Sequence, residues 1–329
     1  MKKRITRIAV VFLGALLAAF SLSDHALCAE KARQKNPAPR YTNPLLRHVK
    51  FKELRPFKAL ISKKIDEAIK NGEVEAAAIY FRSLSEGMWF GIAEREAFAP
   101  SSILKIPIMM TYYKLAERDP AMLRKKLRYV VDSQEESAET LASHSAVPGK
   151  YYTVDKLIEF MIAESDNSAA TLLTQNLPSQ YFIDVFGVFG VNVSGKEAKD
   201  SFVSLKISAS LLRVLYNASY LNEEFSERAL WHLSKSTFKH GIRAGVPAGY
   251  AVANKFGIKS LEAQGQKQLH DVAIVYYPGN PYLLAVMTKG SGDDYSKLSK
   301  LIKVISEITF REVSSQHEDK SDTGKAIID

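Results

Sequence analysis

Strand-like segments lie near both ends of the folded part of this chain, and a long helical stretch separates them. Residues 76–81 and 87–92 are apolar and aromatic segments on either side of a turn, which is typical of paired strands. Residues 252–286 have the same character, whereas residues 103–236 are mainly helical in pattern. The sequence therefore predicts a mixed α/β fold in which sheet elements enclose a helical middle.

Helices are also predicted outside these strands. Residues 60–69 carry an apolar stripe at helical spacing, and residues 298–310 form a closing helix ahead of a polar tail, residues 314–329. The length that remains after the first 29 residues suits one large domain or two closely packed ones. No internal repeat is visible in the sequence.

Residues 1–29 have the layout of a secretory signal peptide. Basic residues precede an uncharged apolar stretch, residues 8–22, and small residues follow before Ala29. The apolar stretch is short for a membrane span, so we expect cleavage after Ala29, with an uncleaved anchor as the alternative. The prediction is a protein secreted across the inner membrane, to the periplasm or the outside of the cell.

Cysteine and histidine usage excludes several catalytic classes. Cys28 is the only cysteine, so the mature chain would have no disulfide, thiol nucleophile or cysteine metal site. The histidines show no metal-ligand spacing, and there is no Gly-x-Ser-x-Gly elbow. We therefore expect no metal and no cofactor, and neither zinc-dependent nor histidine-based serine hydrolysis.

The formal charge of +9 is concentrated near the N-terminus. Residues 30–57 form a basic arm that contains several prolines, and the rest of the mature chain is close to neutral. We interpret the arm as a solvated linker; weak contact with anionic envelope polymers or lipid headgroups is the alternative. Nucleic-acid binding has no support beyond charge, and we expect a monomer.

Three short motifs carry chemically useful side chains. Ser102 and Lys105 lie three residues apart at a predicted helix start, so the hydroxyl and the amine face the same side. A lysine that is desolvated or placed beside another cation can lose its proton and activate the serine. Ser165-Asp166-Asn167 and then Lys255-Phe256-Gly257 follow in the chain. This set predicts an acylating serine that needs no histidine.

Context separates these motifs from chance matches. Ser236 and Lys239 repeat the Ser-x-x-Lys spacing, and we interpret that copy as background. Ser102, by contrast, precedes an apolar run, residues 103–110, and Ser165 lies where two helical stretches meet. The order of the three motifs and their surroundings carry the functional interpretation.

The motifs and the segments around them resemble the class A β-lactamase family, part of the penicillin-recognising serine acyltransferases. Residues 241–255, which lead into the third motif, are similar to that family, as are residues 270–278 and 282–287, which form a later hairpin. The resemblance covers about residues 58–313. It implies interaction with a β-lactam or a small substrate that resembles a peptidoglycan peptide.

This resemblance also implies an architecture: an antiparallel sheet flanked by terminal helices, with an inserted all-helical domain. The α/β lobe would be discontinuous and the helical lobe continuous. The expected boundaries are residues 58–102 and 241–313 for the α/β lobe and residues 103–240 for the helical lobe. The active site would lie where the two lobes meet.

Roles for the motif residues follow from the same resemblance. Ser102 would be the nucleophile, Lys105 would deprotonate it or organise the proton path, and Ser165 would pass a proton to the departing nitrogen. The backbone N–H groups of Ser102 and Ile258 would bind the oxyanion. Asp166 and Arg243 would be structural. The implied substrate-binding residues are Asn167, Lys255, Gly257 and Ile258.

Two departures from the family pattern bear on activity. The third motif has Phe256 where Thr or Ser is usual, which removes a hydroxyl for the substrate carboxylate, adds bulk and puts penicillin binding in doubt. The Glu-x-x-x-Asn element that positions the deacylating water is missing, and the loop around residues 190–200 is short. Glu197 is the nearby candidate, although we interpret it as a surface charge.

These observations leave three functional hypotheses. The first is an exported serine acyl-enzyme hydrolase that opens β-lactam or related amide bonds and deacylates weakly. The second is a D,D-peptidase or penicillin-binding type of cell-wall enzyme. The third is a ligand-binding or sensor relative without turnover, which Phe256 and the missing loop favour and the intact motif side chains oppose.

Overall fold

An antiparallel sheet of five strands organises the chain in a computed structural model. The structure describes residues 53–99, 101–131, 146–188, 203–261, 265–292 and 295–325. The predicted signal segment and Pro100 lie outside these ranges. The strands are β1 (Ala76–Ser83), β2 (Trp89–Ile92), β7 (Val252–Leu261), β8 (Gln266–Val275) and β9 (Tyr282–Ser291), in the order β2-β1-β9-β8-β7.

Four short strands pair outside the main sheet. They are β3 (Ala97–Phe98) with β6 (Val203–Ser204), and β4 (Lys126–Arg128) with β5 (Tyr151–Thr153). The pair β3–β6 brings the segment just before the first motif beside the start of a later helix. The β3–β6 pair therefore ties the helical middle to the region before the serine motif, whereas the β4–β5 pair lies within the helical middle.

Eight α-helices occur in the described residues. They are α1 (Arg55–Lys70), α2 (Lys105–Ala116), α3 (Val154–Ala163), α4 (Asn167–Gln175), α5 (Ser179–Val188), α6 (Leu205–Tyr216), α7 (Glu223–Ser234) and α8 (Ser296–Lys325). None of them is long and apolar enough to cross a bilayer. The closing helix α8 continues past residue 310 and into the predicted polar tail as far as Lys325, and its Val313 is still buried against the core.

Alternation along the strands places a separate apolar layer on each face of the sheet. On β1, Ile79 and Phe81 belong to the cluster formed with α1 and α8, whereas Ala78 and Tyr80 belong to the cluster formed with the helical middle. The terminal helices therefore cover one face and the inserted helices the other. The fold class predicted from the resemblance is confirmed.

Strand β7 shows the same alternation at the third motif. Ala253 packs in the cluster on the side of the helical middle, and Phe256 packs in the cluster on the side of the terminal helices. The Phe256 ring is 3% exposed and stacks on Phe238, with 4.2 Å between ring centroids. The ring is thus part of this apolar layer, and its centroid lies 4.4 Å from Lys255 Nζ, so it lies beside the amine of the third motif.

Replacing Phe256 by Thr is expected to lower the free energy of unfolding by about 3–5 kcal/mol, because truncating a buried Phe leaves a cavity and Thr adds a buried hydroxyl. Urea unfolding followed by circular dichroism measures the change. Phe256→Leu is the matched control and should cost clearly less. A Thr variant as stable as the unmodified chain would show that the ring is not part of the core.

Candidate active site

Ser102 lies on a 3₁₀ turn, Ser101–Leu104, which runs directly into α2; we refer to it as the serine turn. The turn packs against β7, and its Ile103 side chain is buried in the core between them. Ser101 has a left-handed backbone, with φ of 51°, and its hydroxyl donates a hydrogen bond to the carbonyl oxygen of Ile258. This contact fixes the serine turn to the strand segment that was predicted to complete the oxyanion site.

The second motif lies at the start of α4. Asp166 is the N-cap residue: its carboxylate accepts a 2.8 Å hydrogen bond from the N–H of Ala169 and another of 2.8 Å from the hydroxyl of Tyr129. Capping satisfies a helix N–H group that would otherwise lack a partner. Asp166 is fully buried, which agrees with the structural role expected for it, and it leaves Ser165 and Asn167 on either side to face the site.

Lys105 connects the first motif to the second. Its Nζ donates hydrogen bonds to the carbonyl oxygen of Ser165 at 2.6 Å, to Ser165 Oγ at 3.3 Å and to Asn167 Oδ1 at 2.5 Å. Ser165 has a left-handed backbone, with φ of 57°, which turns its carbonyl oxygen and its hydroxyl towards the same amine. As the first residue of α2, Lys105 lies one turn after Ser102.

Lys255 approaches Ser165 from the sheet. Its Nζ donates to Ser165 Oγ at 2.8 Å and to the carbonyl oxygen of Phe256 at 3.1 Å, and lies 4.4 Å from the Phe256 ring centroid. The side chain is fully buried. Burial, and then the charge of Lys105, lower the pKa of Lys255 well below its usual range, and Asp271 partly opposes this.

Two lysine amines therefore contact one serine oxygen in a buried setting. Two adjacent ammonium groups repel each other, and burial penalises both charges, so the arrangement favours loss of one proton. A neutral amine in this cluster can accept a proton from a nearby hydroxyl, and Ser165 Oγ can relay one between the two amines. The geometry supplies a base and a proton donor without histidine or carboxylate.

The structure thus joins Lys105, Ser165, Asn167 and Lys255 directly and brings Ile258 to the serine turn through Ser101. Gly257 lies on β7 opposite His270. The roles assigned to these residues remain predictions. In the second Ser-x-x-Lys copy, Ser236 is buried and Lys239 is exposed, so the two do not form a comparable pair. Glu197 and its loop lie outside the described residues.

Two side chains of β8 hold the segment before the serine turn, and the sequence interpretation missed both. Gln268 Oε1 accepts a 3.1 Å hydrogen bond from the N–H of Ala99, and His270 Nε2 pairs with the carbonyl oxygen of Ala99 at 3.0 Å. Both groups of Ala99 are therefore held three residues before Ser102. The available signal was the presence of two polar residues at strand spacing within an apolar strand.

Removing the His270 donor should loosen the serine turn. We expect His270→Leu to slow acylation of Ser102 by about fivefold, since a buried hydrogen bond contributes about 1 kcal/mol and 1.4 kcal/mol corresponds to tenfold. His270→Gln, which retains an N–H donor, should recover part of the rate. Stopped-flow kinetics with a chromogenic β-lactam would separate the acylation rate constant from the apparent binding constant.

The matched control for that experiment is Thr288→Val. Thr288 Oγ1 donates a 2.7 Å hydrogen bond to the carbonyl oxygen of Leu269, inside the same sheet and adjacent to His270. Its removal should cost similar stability and leave acylation unchanged. Equal slowing by Thr288→Val and His270→Leu would mean that general weakening of the sheet, and not the Ala99 contact, sets the rate.

Adjacent buried groups on β8 titrate in opposite directions. Burial lowers the pKa of His270 from 6.5 to about 4 and raises the pKa of Asp271 from 3.8 to about 6. The His270 contribution to stability is complete above pH 6.5 and is lost as the pH falls towards 4. The Asp271 contribution is complete below pH 3.8 and is lost as the pH rises through 6. The two therefore offset each other in weak acid.

Replacing Asp271 by Asn should reveal the His270 effect. We expect the stability of Asp271→Asn to fall by about 3 kcal/mol between neutral pH and pH 4, because each pKa unit corresponds to 1.36 kcal/mol. The unmodified chain should change much less over the same range. Urea unfolding at a series of pH values gives both curves, and parallel curves would contradict the compensation.

Known proteins resemble this chain in both sequence and structure. Residues 60–313 match the model of a family described as the beta-lactamase enzyme family. The chain is 25% identical over 174 residues to the extended-spectrum beta-lactamase PER-1 of Pseudomonas aeruginosa, an alignment that covers 48% of this chain. The aligned part spans 56% of the length of that relative.

Solved structures with the same fold have lower sequence identity. A leucine-to-glutamate mutant of PBP-A, in an acyl-enzyme complex with penicillin G, is 20% identical with a TM-score of 0.65, over 80% of this chain and 100% of that chain. A class A beta-lactamase from Mycobacterium abscessus is 21% identical with a TM-score of 0.62, over 77% of this chain and 99% of that chain.

Proposed function

The chain belongs to the beta-lactamase enzyme family, and we propose that it is an exported serine acyl-enzyme hydrolase that opens β-lactam or related amide bonds through an intermediate on Ser102. One observation carries this proposal. Ser165 Oγ contacts the amines of both Lys105 and Lys255, and Lys105 lies one helical turn after Ser102. These three side chains can carry out the proton transfers that acylation of a serine by an amide requires.

Before acylation, Ser165 Oγ relays a proton from the ammonium of Lys105 to the neutral amine of Lys255. Ser102 Oγ then attacks the carbonyl carbon, and its proton passes to Lys105. A C–O bond forms, and the backbone N–H groups of Ser102 and Ile258 bind the oxyanion; each such donor is worth about 2.7–4 kcal/mol. When the C–N bond breaks, Ser165 Oγ gives its proton to the departing nitrogen. Lys105, 3.3 Å from Ser165 Oγ, returns the proton.

Release of the acyl group is proposed to be slow. Hydrolysis of the ester needs a water molecule activated by a base, and no Glu-x-x-x-Asn element lies between the second and third motifs. The acyl-enzyme should therefore persist longer than it would with a dedicated carboxylate.

A D,D-peptidase or penicillin-binding function is the second candidate, and the missing glutamate element favours it. PBP-A, in its leucine-to-glutamate form, is a structural neighbour that forms an acyl-enzyme with penicillin G. For the present chain this reading would make a cell-wall peptide the substrate. A relative that binds ligand without turnover is the third candidate, and the intact contacts among Lys105, Ser165 and Lys255 weigh against it.

Export and assembly form part of the same proposal. Residues 1–29 would direct the chain across the inner membrane, and the mature protein would act in the periplasm or outside the cell. We propose a monomer with a basic linker, residues 30–57. The substrate would be a small β-lactam or a molecule that resembles a peptidoglycan peptide.

Intact-protein mass spectrometry tests this assignment. The mature chain is incubated with a panel of β-lactams, and the mass is followed over time beside Ser102→Ala. We expect an adduct of the drug mass on the unmodified chain and none on Ser102→Ala, because the covalent bond forms at that hydroxyl. Ser236→Ala is the matched control and should label normally.

The time course distinguishes the candidates. A persistent adduct supports slow release and the penicillin-binding reading, whereas a transient adduct with consumption of the drug supports β-lactamase turnover. Labelling of Ser102→Ala at the normal rate would show that another residue is the nucleophile. No adduct with any drug, in a chain that is folded by circular dichroism, would overturn the acyl-enzyme proposal for β-lactams.

A further inference from the structure

A second groove, separate from the lysine–serine site, lies between α7 and the ends of α6 and β8. Its volume is about 310 Å³, which is within the range of small-molecule sites. Four of its residues have the spacing of one face of helix α7. The opposite wall is formed by residues at the end of α6, just before β7 and just after β8. The lining residues are Tyr216, Glu227, Leu230, Trp231, Ser234, Ala251 and Tyr276.

The far wall of this groove, which we call the aromatic groove, is held by the sheet. Tyr276 follows β8 directly, and its N–H donates a 3.0 Å hydrogen bond to the carbonyl oxygen of Ala251, just before β7. Tyr216 is the last residue of α6. The two tyrosines are therefore carried by different elements that converge opposite α7, so the groove does not depend on a single loop.

Charge in the aromatic groove is negative. Glu227 is the one charged residue among the described residues that line it. Burial, and then the charges of Glu227 and Tyr216, raise the pKa of the Tyr276 hydroxyl above its ordinary value. The carboxylate is therefore close enough to influence the opposite wall, and the groove combines one anion with several ring faces, which are themselves electron-rich.

Trp231 already contacts one cation of the chain. Its side chain is 49% exposed, so the ring is also open to a ligand. The ammonium of Lys235 lies 5.2 Å from the centre of its ring, within the distance of a cation–π contact. A cation from the same chain thus already lies against the indole, next to the groove.

We propose that the aromatic groove binds an organic cation, an alkylammonium or quaternary ammonium group, with its charge directed at Glu227 and its methyl or methylene groups against the rings. Aromatic rings around one carboxylate are the arrangement that recognises such ligands. An anion would be repelled by Glu227, and a purely apolar ligand would gain nothing from it. Lys235, as a like charge, would compete with the ligand.

Choline and its uncharged carbon analogue, 3,3-dimethylbutan-1-ol, are suitable probes because they share shape and differ in charge. The chain has two tryptophans, so Trp89→Phe leaves Trp231 as the sole indole reporter. We expect choline to change the Trp231 fluorescence saturably in the millimolar range and to bind about tenfold more tightly than the neutral analogue.

Single substitutions test the roles proposed for the two charged side chains, Glu227 and Lys235. Glu227→Gln should weaken choline binding about tenfold, and Lys235→Met should strengthen it, because a competing cation is removed. Glu224→Gln is the matched control: it removes the same charge from the same helix, but that residue lines a different cavity, so binding should be unchanged.

Several outcomes would overturn the proposal. These are equal affinity for choline and its neutral analogue, no saturable signal with choline, or equal binding by Glu227→Gln and the unmodified chain. Weaker choline binding by Lys235→Met would also contradict the proposal, because it would show that Lys235 does not compete with the bound cation. None of these results depends on acylation at Ser102, so this proposal and the proposed function can fail separately.

Discussion

Two lysine amines that share one buried serine oxygen are the contact on which the rest of the site depends. Lys105 and Lys255 both contact Ser165 Oγ, and no water is needed to bridge them. Bringing two ammonium groups together in a buried place costs free energy unless one loses its proton. The repulsion that would destabilise an ordinary core here keeps one amine neutral and able to accept a proton, and the surrounding structure must hold both amines in place.

That holding comes from three separate elements. Lys105 begins a helix, and Ser165 precedes a helix that Asp166 caps. Lys255 lies on β7, which pairs with β8. No single segment could place all three groups, because their contacts join residues far apart in sequence. The five-stranded sheet, whose strands come from before and after the helical middle, is therefore as necessary to the chemistry as the motif side chains.

Apolar periodicity and short motifs are local signals, so the sequence predicted the main sheet and the helices around it. The motif side chains Lys105, Ser165 and Lys255 lie together, and their roles stay predictions. The sequence predicted the end of α8 too early: the helix continues to Lys325. The stacking of Phe256 on Phe238 could not be predicted, because it depends on tertiary packing. Gln268 and His270 were missed because they contact a residue, Ala99, that lies 169 and 171 positions away in the chain, and sequence spacing does not show such contacts.

The alternation of β7 makes the third motif intolerant of changes in chain length. Lys255 and Phe256 are neighbours, yet one supplies the amine of the site and the other fills the apolar layer beside the terminal helices. A one-residue slip of a strand exchanges its two faces. A single residue inserted or deleted within β7 ahead of Lys255 would therefore turn the amine towards the terminal-helix layer and the phenyl ring towards Ser165. The core and the site would then be lost together. A change of two residues would leave both side chains on their present faces.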